Sequence, residues 1–203
     1  MNLLTIVASP RKGKATDTLV DKAIAGAKEA SPDCTVKKLY LSDYEIRFCK
    51  NCLVCRDRET DEPVSECTIH DGMDEITKDV LASDALIFGT PVHMGYAPAI
   101  MTAFLERICW TFAKPERQVL TVKGCPLPRS EKQRRAVIIV TSGIVAPLLR
   151  RFCDAATPLI KGTIKDSLNA KTVGDMYAGD LEHRGVDRYF GKAKKLGYKL
   201  TRN

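Results

Sequence analysis

The sequence predicts a doubly wound α/β fold, with a five-stranded parallel sheet in the order 2-1-3-4-5 and helices on both faces. Five short apolar runs alternate with segments in which apolar residues recur at helical spacing. The chain has 203 residues, of which 44% are hydrophobic and 28% charged, a composition typical of a globular domain. Right-handed crossovers between parallel strands place helices on each face. A single domain over residues 1–203 is therefore expected.

The first strand and helix are predicted near the N-terminus. Leu3 to Ala8 is an apolar run that ends at a turn beginning with Ser9 and Pro10. Apolar residues with helical spacing follow, and they are Leu19, Val20, Ala23, Ile24 and Ala27. Val36 to Leu41 predicts the second strand.

A polar, cysteine-rich segment over residues 42–70 separates the second strand from the next helix. Loops of this length are usually functional. Asp71 is a candidate N-cap for a helix whose apolar positions are Met73, Ile76, Val80 and Leu81. Ala85 to Gly89 predicts a buried strand. Pro98 opens a further helix whose core face is Ile100, Met101, Phe104, Leu105 and Ile108.

The second half of the chain begins with an excursion from the domain over residues 110–135. Lys114 to Arg135 carries seven basic residues, two acidic residues and three prolines. A strand at Ala136 to Thr141 follows, and Leu148, Leu149 and Phe152 predict a helix. Thr172 to Ala178 predicts the last strand, and Val186 to Leu200 a C-terminal helix.

Charge and hydropathy exclude several classes of protein. The net charge of +7 is a mild excess, and a basic segment such as Arg188 to Arg202 is usually only a solvated face, so nucleic-acid binding is not expected. The apolar runs are far shorter than the roughly 18 residues of a membrane span. Leu3 to Val7 lacks the basic flank and cleavage site of a secretory signal. We therefore expect a cytoplasmic protein whose eight cysteines are not structural disulfides.

Ligands of an open parallel sheet bind at the carboxyl ends of the strands, near the point where the strand order reverses. The loop after the first strand joins a helix N-terminus, and its hydroxyls and cations suit one phosphomonoester. No G-x-G-x-x-G or G-x-x-x-x-G-K motif is present, which disfavours dinucleotides and P-loop nucleotides. The alternative is a basic surface turn. The candidate phosphate residues are Ser9, Arg11, Lys12, Lys14 and Thr16.

The loops after the third and fourth strands are predicted to hold a flat ring between them. The first offers backbone N–H groups and apolar sides through Pro91, Val92, His93, Met94 and Gly95. The second walls the other side through Thr141, Ser142 and Gly143. His93 is either a hydrogen-bonding partner or an ordinary loop residue. Ser142 is not part of a G-x-S-x-G elbow, so its sequence gives no support to a hydrolase.

Three motifs carry a resemblance to a known family. They are Ala8-Ser9-Pro10-Arg11-Lys12 to Thr16, Cys67-Thr68-Ile69-His70-Asp71-Gly72-Met73, and Phe88-Gly89-Thr90-Pro91-Val92-His93-Met94-Gly95 to Phe104-Leu105-Glu106-Arg107. In order and spacing they resemble the NADPH-dependent FMN reductase and iron–sulfur flavoprotein family. The resemblance covers most of residues 1–110.

The resemblance implies a flavodoxin-like fold that holds FMN in the three loops. By position, Ser9, Arg11 and Thr16 would bind the phosphate, residues 91–95 the isoalloxazine ring, and residues 141–143 its far edge. It also implies a homodimer or tetramer, and we expect its contacts within segments 42–70 and 110–135. The family usually has an aromatic residue where His93 stands and Asn where Ala15 stands.

The cysteine spacing is the second strong feature. Cys49, Cys52 and Cys55 have C-x2-C-x2-C spacing, and Cys67 follows after eleven residues. Three thiolates on one short loop are typical of 4Fe-4S ligation, whereas zinc generally takes two separated C-x-x-C pairs. Similar iron–sulfur flavoproteins have a shorter gap before the fourth cysteine. A 4Fe-4S cluster, zinc and free thiols therefore remain the three alternatives, and Cys34, Cys109, Cys125 and Cys153 are treated as inert thiols.

The function predicted from these features is that of an FMN-dependent oxidoreductase or electron-transfer flavoprotein. The flavin carries the chemistry, and NAD(P)H is the expected co-substrate. The acceptor is a small molecule or a redox-carrier protein. One alternative is a cluster-free NAD(P)H-dependent reductase of quinones, nitro compounds or free flavin. A second alternative, of another class, is a non-catalytic module stabilised by zinc.

Overall fold

The computed structural model describes residues 1–202 and contains a five-stranded parallel sheet. Its strands lie in the order β2-β1-β3-β6-β7, and every neighbouring pair is parallel. Two further strands, β4 and β5, form a separate antiparallel hairpin. Among the five strands of the main sheet the predicted order 2-1-3-4-5 is confirmed. The strands are β1 Asn2–Val7, β2 Thr35–Tyr40, β3 Ala85–Pro91, β4 Ala113–Val119, β5 Val122–Pro128, β6 Arg134–Thr141 and β7 Ala170–Ala178.

Helices connect the strands of the main sheet. The helices are α1 Ala15–Ala30, α2 Val54–Asp57, α3 Met73–Ala82, α4 Ala99–Phe112, α5 Arg150–Cys153, α6 Ala156–Leu168, α7 Leu181–Arg184 and α8 Phe190–Thr201. Short 3-10 turns lie at Leu41–Asp43, Pro147–Leu149 and Asp187–Tyr189. None of the helices within residues 1–202 has the length and apolar character needed to cross a bilayer.

The apolar side chains of β1, β3 and β6 point alternately to the two faces of the sheet, and both faces are buried. Leu4 and Ile6 of β1 face a core built with α3, α4 and α6. Leu3 and Val7 of the same strand face a second core built with α1 and α8. The carboxyl ends of the strands therefore open between two layers of helices.

The helix predicted from Leu148, Leu149 and Phe152 is present only as short helical turns, and it is not the crossover helix to β7. A 3-10 turn and the single turn α5 occupy this segment, and Leu148 is 91% exposed. The crossover helix is α6, whose buried residues include Ile160, Ile164 and Leu168 at four-residue spacing. The apolar residues at 148–152 were misleading because they lie on the surface and not against the sheet.

The excursion after α4 is the β4–β5 hairpin. Leu120 makes its turn with a φ of 52°, and Arg117 ties it to α6 through a 2.8 Å ion pair with Asp166. Three prolines obscured the strand pattern of this segment, because proline is rare within strands. Both strands are edge strands of a two-stranded sheet, where proline is tolerated.

Candidate functional site

A cleft of about 540 Å³ opens at the carboxyl ends of β1, β3 and β6. It lies where the strand order reverses, as expected for an open α/β sheet. Ten of the thirteen predicted ligand-binding residues line it, and Lys12, Met94 and Gly95 lie outside. The lining residues are Ser9, Pro10, Arg11, Lys14, Ala15, Thr16, Pro91, Val92, His93, Thr141, Ser142, Gly143, Leu181 and Glu182.

The first loop brings an open helix N-terminus to the cleft. Lys14 is the N-cap of α1 and makes no side-chain capping bond, so the first amides of the helix have no intrahelical acceptor. Arg11 and Lys14 add two cations at the same place. Free amides, a helix dipole and two cations match the needs of a phosphate group. Lys12 points away and pairs with Asp43 at 2.7 Å.

Asp17 stabilises this loop from the side that faces away from the cleft. Its carboxylate accepts the N–H of Gly13 at 2.7 Å, where Gly13 has a φ of +72°. Tyr40 donates to it at 2.9 Å, and Lys38 pairs with it at 2.5 Å. Burial raises the pKa of Asp17, but these hydrogen bonds and the Lys38 charge outweigh burial and lower it overall. The carboxylate is therefore charged and fixes the turn that precedes the helix.

Two contacts hold the loops together at the floor of the cleft. The hydroxyls of Thr16 and Thr141 lie 2.7 Å apart and share a hydrogen bond, which joins the first loop to the loop after β6. A Cβ at Gly89 would stand 2.4 Å from Val20, so only glycine lets α1 approach β3 this closely. These two contacts hold α1 against β6 and β3 at the floor of the cleft.

The loop after β3 is a tight turn whose backbone N–H groups at His93 and Tyr96 are hydrogen-bonded within the turn. The N–H of His93 donates to the carbonyl of Tyr96 at 2.9 Å, and Tyr96 donates back at 3.0 Å. Met94 and Gly95 both have positive φ, the pattern of a type I′ turn. This turn removes Met94 and Gly95 from the cleft and leaves Pro91, Val92 and His93 on its wall.

The far wall contains two residues that the sequence did not indicate. Leu181 and Glu182 line the cleft beside residues 141–143. The N–H of Glu182 donates to the carbonyl of Gly143 at 3.0 Å. A Cβ at Gly143 would stand 2.6 Å from the Glu182 carboxylate, so glycine permits this approach. No local motif marks Glu182, because it comes to the cleft from α7, about forty residues beyond Gly143 in the chain.

The four predicted metal ligands converge on a second place in the fold. Cys49, Cys52, Cys55 and Cys67 line one small cavity of about 20 Å³ beside Trp110. Burial raises the pKa of Cys55, and the neighbouring Cys67, Cys49 and Cys52 raise it further. No three His, Cys, Asp or Glu side chains within residues 1–202 meet closely enough to hold a single metal ion. The arrangement is a thiol cluster that is looser than a zinc site.

The backbone around Cys52 has an unusual conformation. Asn51 and Leu53 have φ values of 50° and 59°, which non-glycine residues rarely adopt. The N–H of Asn51 approaches the sulfur of Cys49 at 3.4 Å, and the Thr68 hydroxyl lies 3.5 Å from the sulfur of Cys52. The loop therefore wraps its polar groups around the sulfurs.

A buried ion pair anchors the cysteine loop to α4. Asp71 and Arg107 are each 1% exposed in their side chains and lie 2.7 Å apart. Arg107 also donates to the carbonyls of Arg47 and Ile69, both at 2.9 Å. Burial raises the pKa of Asp71, but Arg107 and the N–H groups of Arg47 and Met73 outweigh burial and lower it. The pair fixes both ends of the loop.

Cationic side chains surround the thiol cluster. Arg107 lies next to Cys67, and Arg129 donates to the carbonyl of Cys55 at 3.1 Å. Burial and the neighbouring thiols nevertheless outweigh these cations at Cys55, whose pKa is raised. Cys109 on α4 lies close enough to Cys49 and Cys55 to be affected by their charges, and burial raises its pKa to about 11. Cys109 is therefore a neutral thiol at neutral pH.

Comparison with known proteins identifies relatives. A family model described as NADPH-dependent FMN reductase matches residues 1–150. An iron–sulfur flavoprotein of Methanosarcina thermophila is 35% identical over 107 residues, which are 53% of this chain and 52% of that protein. The chain therefore spans about half the length of the curated relatives it matches.

Solved structures show the same fold. An NAD(P)H:quinone oxidoreductase from Methanothermobacter marburgensis superposes with a TM-score of 0.70 at 17% identity, covering 98% of each chain. An FMN-dependent NADH-azoreductase from Bacillus anthracis str. Ames Ancestor, in complex with FMN, gives a TM-score of 0.68 at 14% identity, covering 99% of this chain and 100% of that chain. At such identities these two likenesses concern the fold alone.

Proposed function

The chain belongs to the NADPH-dependent FMN reductase family, and from this premise we propose that it is an FMN-dependent oxidoreductase that takes electrons from NAD(P)H. The observation that carries the proposal is the open N-terminus of α1, which faces the same cleft as Arg11 and Lys14. This arrangement suits one phosphomonoester, and FMN ends in such a group.

The residues present fit FMN over the whole cleft. Ser9, Arg11, Lys14 and Thr16 would hold the phosphate together with the amides of α1. Residues 91–93 and 141–143 would face the two sides of the isoalloxazine ring. The hydrogen-bonded pair Thr16 and Thr141 would lie beneath the FMN, between its phosphate and its ring.

Bound FMN would supply hydride acceptance and electron transfer, so the chain needs no catalytic acid or base. Arg11 and Lys14 would balance the phosphate charge. Glu182 presents a carboxylate at the far wall and would disfavour a second negative charge there. The exposed side of His93 leaves room for a nicotinamide or a small acceptor.

FMN binding to the purified protein tests the proposal. Calorimetry of the wild type is expected to give one FMN per chain. Arg11→Ala is expected to weaken binding about tenfold or more, because hydrogen bonds to charged groups contribute about 1.5–3 kcal/mol. Arg188→Ala, in the 3-10 turn at Asp187–Tyr189 and not among the residues that line the cleft, is the control and should not change affinity. An unchanged affinity in Arg11→Ala, or tight binding of FAD in preference to FMN, would contradict the anchor.

The cysteine loop supports a second part of the proposal, a 4Fe-4S cluster on Cys49, Cys52, Cys55 and Cys67. Three observations favour it: the four thiols share one cavity, arginines lie beside them, and the curated relatives are named iron–sulfur flavoproteins. The cavity holds little more than one water, so the loop must widen to admit a cluster. A cluster would divide the two electrons of a flavin into single steps.

Protein purified without oxygen distinguishes the cluster from its alternatives. Iron and acid-labile sulfide are expected in the wild type, and Cys52→Ser should remove both while leaving FMN bound. Cys109→Ser, which changes a neighbouring half-buried thiol, is the matched control and should retain iron. Zinc in place of iron, or metal-free protein with full reductase activity, would overturn the cluster. The latter result favours a simple NAD(P)H-dependent reductase of quinones or nitro compounds.

The proposal extends to the cellular setting. All eight cysteines are free in the structure, and four of them are intermediate or exposed around the thiol cluster. Thiols that must stay reduced require a reducing compartment, and we infer the cytoplasm. The acceptor would be a small molecule or a redox-carrier protein that reaches the open side of the cleft.

A further inference from the structure

A second cleft, of about 420 Å³, lies between α3 and α4. Met73, Thr77 and Leu81 line it from α3 at four-residue spacing, which places them on one face of that helix. Arg107 and Thr111, also four residues apart, line it from α4. Residues 64–67 close one side. None of its lining residues belongs to the cleft at the strand ends.

Two buried polar atoms, in residues that line this cleft, have no nitrogen or oxygen hydrogen-bond partner. They are the Ser65 hydroxyl and Arg107 Nε, in residues that are 1% and 3% exposed. Ser65 is held in place because its N–H donates to the carbonyl of Thr111 at 2.7 Å. The terminal nitrogens of Arg107 are all engaged, and its one remaining side-chain contact is with Cys67, whose sulfur is a weak acceptor, so its Nε–H has no oxygen acceptor. Unpaired buried donors are costly, and native proteins usually supply an acceptor.

One charge at the rim, that of Lys78, favours an acceptor with a negative charge. Lys78 has no carboxylate within 4 Å among the residues that the structure describes. The two rim carboxylates are already engaged, since Glu66 pairs with Arg58 at 2.7 Å and Asp74 with His70 at 3.3 Å. Lys78 is therefore the charged side chain at the rim that lacks an ion-pair partner among residues 1–202.

We propose that this cleft binds a small organic carboxylate with an apolar body. The carboxylate oxygens would accept from Ser65 and Arg107 and pair with Lys78, while the body packs against Met73 and Leu81. The volume lies within the range of small-molecule sites, about 300–1,000 Å³. The proposal does not depend on FMN. Because Cys67 also lines the cleft, a bound ligand would contact the cysteine loop.

Calorimetry with 2-naphthoate on the FMN-loaded wild-type protein tests the proposal, with 2-naphthalenemethanol as the uncharged probe of the same shape. Saturable binding of the acid is expected, with the alcohol at least about tenfold weaker, because it lacks the charge-assisted contacts. Ser65→Ala should weaken the acid about tenfold, and Lys78→Gln several-fold. Thr77→Trp should abolish binding by filling the cleft. Lys161→Gln, which changes a lysine of α6 outside the cleft, is the control and should have no effect.

The opposite results would overturn the proposal. Absence of saturable binding to the wild type means that water alone satisfies the two donors. Equal affinity for the acid and the alcohol would show that Ser65, Arg107 and Lys78 do not recognise a carboxylate. If Arg11→Ala weakens 2-naphthoate binding and Thr77→Trp does not, the probe binds at the strand-end cleft. Circular dichroism and FMN content of each variant separate loss of the site from loss of the fold.

Discussion

Asp17 determines the shape of the loop that faces the phosphate. It follows Thr16 directly in the sequence, yet its side chain points back beneath the loop, where Gly13, Lys38 and Tyr40 contact it. Sequence analysis indicated the residues on the exposed side of this loop from their hydroxyls and charges. It could not indicate Asp17, because the partners Lys38 and Tyr40 come from β2 and meet it only in the folded chain.

Asp17→Asn is expected to lower both stability and FMN affinity. It removes the charge that offsets Lys38 and leaves that ammonium half-buried, at a cost of about 2 kcal/mol in the free energy of unfolding. FMN affinity should fall about tenfold as the turn at Gly13 loosens. Urea unfolding and calorimetry measure the two effects. Asp21→Asn, which changes an exposed partner of the same lysine, should alter stability by less than about 0.5 kcal/mol.

The pH dependence of this contribution has a definite sign. The folded pKa of Asp17 is lowered below its ordinary value of 3.8. Its stabilisation is therefore complete above that value and is lost as the pH falls through the folded pKa. Wild type and Asp17→Asn should differ in stability by a constant amount from pH 7 to about pH 5 and converge in stronger acid. A difference that disappears between pH 7 and pH 5 would contradict the assignment.

At the scale of elements, α4 and the cysteine loop form one unit through Asp71 and Arg107. The sequence placed these residues in two separate motifs, at Cys67 to Met73 and Phe104 to Arg107, and their ion pair explains why both are present. The N-cap of α3 is Gly72 and not the predicted Asp71, although Asp71 accepts the N–H of Met73, the first residue of the helix. The predictable elements were those with buried, periodic apolar residues. The helix predicted at 148–152 is only short turns, and its apolar residues are exposed. The strands of the β4–β5 hairpin were not predicted, because their prolines hide the strand pattern.

Breaking the ion pair from either side should destabilise the protein. Arg107→Met leaves the Asp71 carboxylate buried without its partner, and Asp71→Asn leaves the Arg107 guanidinium buried without its partner. Each variant should lower the free energy of unfolding by about 3–5 kcal/mol. The double variant should lose at least about 1 kcal/mol less than the sum of the single variants. Urea denaturation measures all three. Additive losses would show that the two residues do not act as a pair, and Asp74→Asn, an exposed neighbour, should be nearly neutral.

At the scale of the whole molecule, an exposed apolar surface borders the strand-end cleft. Met94, Leu148 and Phe152 are 98%, 91% and 79% exposed, and the turn at Gly95 lies against Cys153. Monomeric proteins rarely expose such residues together, so we infer that a second copy covers this surface. The contacts expected from the sequence were segments 42–70 and 110–135. The sequence did not indicate the surface at Met94, Leu148 and Phe152, because the exposure of an apolar residue depends on which helix covers the sheet. Contacts within the two expected segments stay a prediction.

Leu148→Asp combined with Phe152→Asp should shift the protein towards monomers. A charge on each of two exposed apolar residues places unpaired carboxylates in the inferred interface. Sedimentation velocity should show a dimer or tetramer for the wild type and at least about a tenfold weaker association for the double variant. Leu120→Asp, on the equally exposed turn of the β4–β5 hairpin, is the control. A monomeric wild type that binds FMN fully would contradict the inference.

The most direct test of the central claim is the anaerobic titration of the FMN-loaded protein with NADPH, followed by the visible absorbance of the flavin. The account predicts that the flavin band is bleached by about one equivalent of NADPH or NADH, since each delivers two electrons to one flavin. Arg11→Ala reconstituted with FMN should show the same bleaching only at higher FMN concentration. A wild-type protein that holds FMN in this cleft but keeps its flavin oxidised with both nucleotides would contradict the account.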